Sequence, residues 1–279
     1  RCKMNEFLDF FEFMPPLYKT AFLMFSLGFC WLLEYRKPLF NFKYSKIKHG
    51  RTNLYFLLIM SVINFVFGLF LVVGLDYFQN FNFGLLQLLD LPIIVELIVA
   101  LLALDLVAQY VIHICLHKLS WMWKFHIIHH SDRFLDATSG TRHHPIDYAL
   151  REVFSFAVLV VLGIPAAYYF LFRFCSIFFT YFNHSNIILP KRINSILTLV
   201  FVTPNLHKFH HHAQLPWTDK NYGNIFSFWD RIFGTFAQGN PKELKFGIDT
   251  LEDKPNDNFL YLLLLPWKLK KKKDVKTTN

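Results

Sequence analysis

Residues 113–144 read HICLHKLSWMWKFHIIHHSDRFLDATSGTRHH. Seven of the chain's thirteen histidines fall in this stretch. His113 and His117 are four residues apart, one helical turn, so their rings stack on one face. His126, His129 and His130 stand at i, i+3 and i+4, which predicts a second helix with three imidazoles on one face. The same spacing returns about eighty residues later as His207-Leu-Lys-His210-His211. Thirteen histidines scattered at random would rarely produce His-x2-His-His twice. Imidazole is the commonest metal ligand, and eight of them exceed what one tetrahedral ion takes. The pattern predicts two metal ions.

Outward from this stretch, composition sets the class. Hydrophobic residues make up 54% of the 279 residues, charged residues only 18%, and there are 34 Phe. A soluble domain carries about 25% charged residues, and helices facing water need polar faces that these runs lack. An all-α, polytopic membrane bundle is expected. Its three spans are placed at Leu17–Leu33, Leu54–Leu75 and Ile93 to His113, followed by a helical hairpin over residues 149–183. Gly163-Ile-Pro165 interrupts that hairpin, because Pro lacks an amide donor and disfavours helix at the residue before it. Two half-length helices are expected there, returning to the side they left. Residues 193–202 are apolar but too short to span, so an interfacial or buried helix is expected.

The formal charge of +9 does not indicate nucleic acid, since no basic stripe is interleaved with exposed aromatics. The charges flank the apolar runs. Arg36, Lys37, Lys43, Lys46, Lys48 and Arg51 follow the first span, whereas the loop 76–92 has two Asp and no Lys or Arg. Positive loops stay cytoplasmic, so the histidine-rich cap is expected to face the cytoplasm. That means the inner membrane of a bacterium or the endoplasmic reticulum of a eukaryote. The apolar patch Phe259–Trp267 and the lysines after it read as a surface anchor to anionic lipid. The four cysteines show no CxxC and read as buried hydrophobes. Met4 is a candidate start, and no cleavable signal peptide is expected. Three regions follow: an N-terminal membrane region (1–92), a catalytic region (93–238) and a basic tail (239–279).

With Arg142-His143-His144-Pro145, Thr203-Pro204, Asn221-Tyr-Gly223 and Trp229-Asp-Arg-Ile-Phe-Gly-Thr235, the histidine pattern resembles the fatty acid hydroxylase/sterol desaturase superfamily. These are integral-membrane, non-haem di-iron enzymes. The resemblance implies two Fe ions, O2 as co-substrate, and a membrane lipid or sterol substrate that is hydroxylated or desaturated. It implies ligation by His113, His117, His126, His129, His130, His207, His210 and His211, with His184 as a ninth ligand. His144 is a further candidate. Some relatives carry another histidine four residues before the ninth, and here that position is Thr180.

Asp105, two turns before His113 inside a span, is expected behind the ligands, accepting an imidazole N–H. Asp132, Asp147, Asp219 and Asp230 are lesser candidates for that role, Glu96 a weaker one, and Asp230-Arg231 also reads as an ion pair. His49, His143 and His212 read as bystanders, and Trp121, Trp123 and Trp217 as interface aromatics. No CxxCH or flavin fingerprint occurs, so electrons are expected from a separate cytochrome- or ferredoxin-type donor. Two other classes fit the sequence less well. A membrane zinc hydrolase needs His-Glu-x2-His, which is missing. A metal transporter needs ionisable groups along a path through the bilayer, whereas these histidines gather near one face.

Overall fold

The structure, a computed structural model, describes residues 2–80, 83–248, 251 and 255–269. The lysine-rich end of the tail therefore lies outside the described residues. Among the described residues the chain is helical, with only isolated β-bridges. Three helices are long and apolar enough to cross a membrane: Pro16–Leu33, Lys46–Leu71 and Ile93–Lys118. Their lipid-side residues are large and apolar, as at Phe25, Leu58, Phe65 and Ile98, so the chain is a membrane protein.

A short helix α1 (Cys2–Glu12) precedes α2 (Pro16–Leu33), which starts with Pro at its first position. The next helix, α3 (Lys46–Asn80), begins eight residues before the expected span, so part of the basic loop is helical. The third span is α4 (Ile93–Asp105), a π-turn (Leu106–Val111) and α5 (Ile112–Lys118) in continuous succession. Leu119 turns the chain into α6 (Ser120–His130). The histidines of α5 and α6 are thereby folded against one another at the end of the third span.

The interrupted segment forms α7 (Pro145–Leu162) and α8 (Ala166–His184), with the break where it was expected. These helices are not half-length. At 18 and 19 residues each approaches the thickness of a hydrocarbon core. The apolar run understates them because α7 starts at His-Pro and carries Asp147, Arg151 and Glu152 inward. Gly163 makes the reversal in the left-handed region, with φ of 69°. Both ends of the hairpin return to the histidines: His144 caps α7 and His184 ends α8. The short helices α9 (Lys191–Leu197), α10 (Pro204–His210) and α11 (Phe228–Ile232) close the cap. Ile193, Ile196 and Leu199 on α9 and just after it remain exposed, as expected of an interfacial segment. The last helix, α12 (Phe259–Lys268), packs its Leu262 and Leu265 against Ile127 and Ile128 of α6.

Gly163 also approaches Gly84 so closely that a Cβ on Gly163 would lie 2.9 Å from the Gly84 Cα. Gly163→Ala is expected to cost about 1–3 kcal/mol through the left-handed backbone alone, read as a lowered Tm of the detergent-solubilised protein. Gly68→Ala, where a new Cβ meets nothing within 4 Å, should show no loss. Equal behaviour of the two would refute this account of the hairpin turn.

Candidate metal centre

The nine histidines named from the sequence are all buried and fall into two adjacent groups. His113, His117, His126, His130 and His210 form one, and His129, His184, His207 and His211 the other. Within each group the ligand atoms lie within 4.8 Å of one another. The two His-x2-His-His motifs are shared between the groups reciprocally. His126 and His130 go to the first group and His129 to the second, while His207 and His211 go to the second and His210 to the first. Spacing alone suggested three rings facing one place. In three dimensions the i, i+4 pair converges and the ring between them points to the neighbouring centre.

The nitrogens turned inward are Nε2. In the second group His184 Nε2 lies 3.1 Å from His129 Nε2, 3.1 Å from His207 Nε2 and 3.2 Å from His211 Nε2. His207 and His211 are themselves 3.2 Å apart at Nε2. In the first group His113 and His126 approach to 3.1 Å, and Nε2 of His117, His130 and His210 has no partner. Four imidazoles cannot satisfy one another this way, because each neutral ring has one donor and one acceptor. Nitrogens bound about 2.0–2.1 Å from one ion would stand about 3 Å apart. The orphaned nitrogens and their separations therefore fit a metal in each group.

In five of the nine rings an outward Nδ1 contact explains the inward Nε2, while Nδ1 of His129, His207 and His211 has no partner among the described residues. His113 Nδ1 donates to the Tyr222 carbonyl at 2.8 Å, His210 Nδ1 to the Lys220 carbonyl at 2.8 Å and His184 Nδ1 to the Thr180 carbonyl at 2.7 Å. A carbonyl only accepts, so these rings carry the proton on Nδ1 and leave the Nε2 lone pair free. His126 Nδ1 lies 2.9 Å from Asp147, and His117 Nδ1 3.4 Å from Asp219. Burial pushes the His126 and His210 imidazoles down to about 3. His129, His130, His207 and His211 are held well below the ordinary value, first by burial and then by neighbouring histidines. All are neutral at pH 7, the form that ligates.

Asp105 does not stand behind a histidine. Its carboxylate accepts from the Ile225 and Phe226 amides, both at 3.3 Å, and from Trp229 Nε1 at 3.0 Å. The π-turn between Asp105 and His113 adds a residue to the helical turn, so the two-turn register expected of an α-helix is lost. Asp105 instead holds the loop that delivers the Tyr222 carbonyl. Asp230 acts on the same loop through the Tyr222 amide at 2.8 Å, the Gly223 amide at 3.1 Å and Thr235 Oγ1 at 2.7 Å. Asn221, at φ of 54°, bonds Leu206 and Ala237 across it.

Other expectations change as well. Asp147 and Asp219, lesser candidates, are the carboxylates that meet cluster histidines, whereas Asp132 meets His49. His49 is no bystander: it is buried between Asp132 at 2.9 Å and Asp136 at 3.2 Å. This ties α3 to the loop after α6. His144 joins neither group; its Nδ1 caps α7 at the Ile146 amide, and its ring packs on Phe125 and Trp267. His143 shares Asp147 with His126 and stacks on His129 at 4.2 Å, so it is part of the site's wall. His212 lies outside both groups. Trp123 is buried against His117 and His130, whereas Trp121 is exposed and Trp217 packs on Phe209. Glu96 reaches only Tyr168, at 3.4 Å. Arg142 is fully buried and donates to Ile128, Ser131, Asn53 and Asn256, clamping the end of α6.

A fatty acid hydroxylase family model matches residues 97–235, about half of the chain and all but the outermost parts of this cap. The chain belongs to the fatty acid hydroxylase family. Alkylglycerol monooxygenase of Caenorhabditis elegans is 29% identical over 54% of the chain and 29% of its own length. Ornithine lipid hydroxylase OlsE of Rhizobium tropici is 29% identical over 60% of the chain and 49% of its own length. Human alkylglycerol monooxygenase is 28% identical over 48% of the chain and 29% of its own length. The matches thus span less than half of each of these relatives. No solved structure matches the chain. Within the family region, the Asn221-Tyr-Gly223 and Trp229-Asp-Arg231 elements have a physical role: they fix the backbone carbonyls that orient His113 and His210.

Asp105→Ala leaves three buried donors unpaired, at about 1–3 kcal/mol each. Hydrogen exchange at the Ile225 and Phe226 amides should quicken in this variant, with little change in α8. Acceleration confined to α5 would instead favour a role behind His113.

Proposed function

We propose that the chain is a membrane monooxygenase that uses O2 and external electrons to hydroxylate a lipid C–H bond, with two irons held by the nine histidines. The observation that carries this reading is the pair of buried groups, five and four imidazoles, presenting Nε2 inward side by side. Iron bound there would supply the redox chemistry by which O2 and two electrons place one oxygen atom in a C–H bond, the other leaving as water. Imidazole alone does not select iron over zinc or copper. The family and the names of its relatives, monooxygenase and hydroxylase, favour iron and hydroxylation over desaturation.

The chain's own residues then have definite tasks. Asp147 and Asp219 hold His126 and His117 in orientation and make their rings better donors. The carbonyls of Tyr222, Lys220 and Thr180 do the same for His113, His210 and His184. Burial keeps water from the site. A cavity of about 150 Å³ touches His113 of one group and His129, His184 and His207 of the other, so a substrate can meet both. Orientation with this cap in the cytoplasm is supported by the basic segment 34–53, which packs on it through Phe40 with Asn186 and His49 with Asp132. Electrons would come from a separate protein donor on that side.

Metal analysis of the purified protein should find two irons per chain, with O2 consumed and one lipid class gaining an oxygen atom in the host's lipidome. His117→Ala/His130→Ala and His207→Ala/His211→Ala should each reduce the iron to one and abolish the product. One tight zinc without O2 uptake would overturn the reading. Asp147→Asn should retain both groups but weaken metal binding about 10–100-fold, measured by chelator competition. An unchanged affinity would show that Asp147 does not support His126.

A further inference from the structure

The cavity that reaches the histidines has an apolar wall, with Leu23, Leu57, Met60 and Ile177, and a charged one. Beyond His129, His184 and His207 its walls carry Tyr148, Arg151, Glu152 and Arg173, all from the hairpin α7–α8. A second cavity of about 110 Å³ adjoins it, walled by Phe22, Phe67, Leu71, Phe170 and Phe174, with Lys19 Nζ 3.6 Å from the centre of the Phe170 ring. Asn64, Glu152, Arg173 and Ile177 border both, so they stand at the waist between a chamber with charged groups on one wall, the polar chamber, and a more apolar one.

The waist is ordered by charge. Arg173 donates to Glu152 at 2.9 Å and to the Tyr148 hydroxyl at 2.7 Å. The Tyr169 hydroxyl donates to Glu152 at 2.9 Å. Next to it Arg151 donates to Asp147 at 3.0 Å. Two cations face two anions, so this four-residue cluster is neutral, and Lys19 in the second chamber is held on the Phe170 ring away from it. A methylene chain laid against these groups would strip their water and return no hydrogen bond, at a cost of about 1–3 kcal/mol per group. A charged guest would add an unbalanced charge where the local charges already cancel. A neutral hydroxyl, ether or carbonyl adds hydrogen bonds without either penalty. The entrance has the same character: Ser61 and Asn64, three apart on α3, are exposed within the span and both line the polar chamber.

We propose that this chamber binds the neutral polar head of a lipid, with Arg173, Glu152 and Tyr148 determining specificity, and that the apolar chamber takes the lipid's chain. The inference rests on the monooxygenase reading and sharpens it. With the head between the waist and the histidines, the C–H bonds presented for oxidation belong to the head or to the first carbons of the chain. Bonds far down the chain lie on the other side of Arg173.

The test is binding of four sixteen-carbon probes to the full chain in nanodiscs: hexadecanol, hexadecanoate, hexadecylammonium and hexadecane. Hexadecanol should bind about tenfold more tightly than each of the others, the worth of a hydrogen bond to charged groups. Glu152→Met/Arg173→Met removes the ion pair as a unit, a replacement that buried pairs tolerate, and should erase that preference. Gly68→Phe fills the apolar chamber from a position where a new Cβ meets nothing within 4 Å. It should weaken hexadecanol but not hexanol.

Equal binding of all four probes, or a preference that survives the double methionine variant, overturns the proposal. So does a Gly68→Phe effect as large on hexanol as on hexadecanol. Iron content is measured on the same samples. The expected binding pattern in protein that holds no iron would sustain the chamber and sink the di-iron reading instead.

Discussion

Nine imidazoles withdrawn from water, with unshared lone pairs turned towards one another, set the terms for everything around them. Of the inward nitrogens, Nε2 of His117, His130 and His210 has no partner among the described residues, and Nε2 of the other six rings meets only other imidazoles. Each such nitrogen costs about 1–3 kcal/mol, an amount comparable with the whole stability of a domain when summed. A bound metal offsets a cost of that size. The remaining architecture can be understood as the means of bringing these rings together from three separate parts of the chain, α5–α6, the end of α8 and α10, and fixing which nitrogen faces in.

Two devices achieve this. The first is topological. The third span ends in the α5–α6 turn, and the α7–α8 hairpin goes out from His144 and comes back at His184, so all ligands collect at one end of the bundle. Gly163 at the far end makes the return, and its contact with Gly84 anchors the reversal to the segment before α4. The second is a frame of buried polar bonds around the cap. His49 between two aspartates, Arg142 on the end of α6, and Lys208 donating to the Ser185 carbonyl at 2.5 Å lock the loops from which the ligands project. Burial pushes the Lys208 ammonium down to about 7, so even this tether is held against a desolvation cost.

Much of this was legible in the sequence, and what escaped it did so for physical reasons. Apolar length placed the spans, Gly163-Ile-Pro165 placed the break, histidine spacing picked out eight of the nine rings that the structure brings together, and the family resemblance added His184. Spacing could not divide the motifs between two centres, because that depends on which helix each ring meets. It placed Asp105 by assuming an uninterrupted α-helix, and the π-turn moved that carboxylate onto the Ile225–Trp229 loop. Carbonyl partners such as Tyr222 carry no side-chain signal at all. His49 looked isolated because its two aspartates lie more than eighty residues away.

The central claim is that the two histidine groups are two metal sites, and the most direct measurement is anomalous diffraction from crystals of the protein at the iron absorption edge. The account predicts two peaks, one enclosed by Nε2 of His113, His117, His126, His130 and His210 and one by Nε2 of His129, His184, His207 and His211. A single peak shared by both groups, or peaks away from these nitrogens, would contradict it.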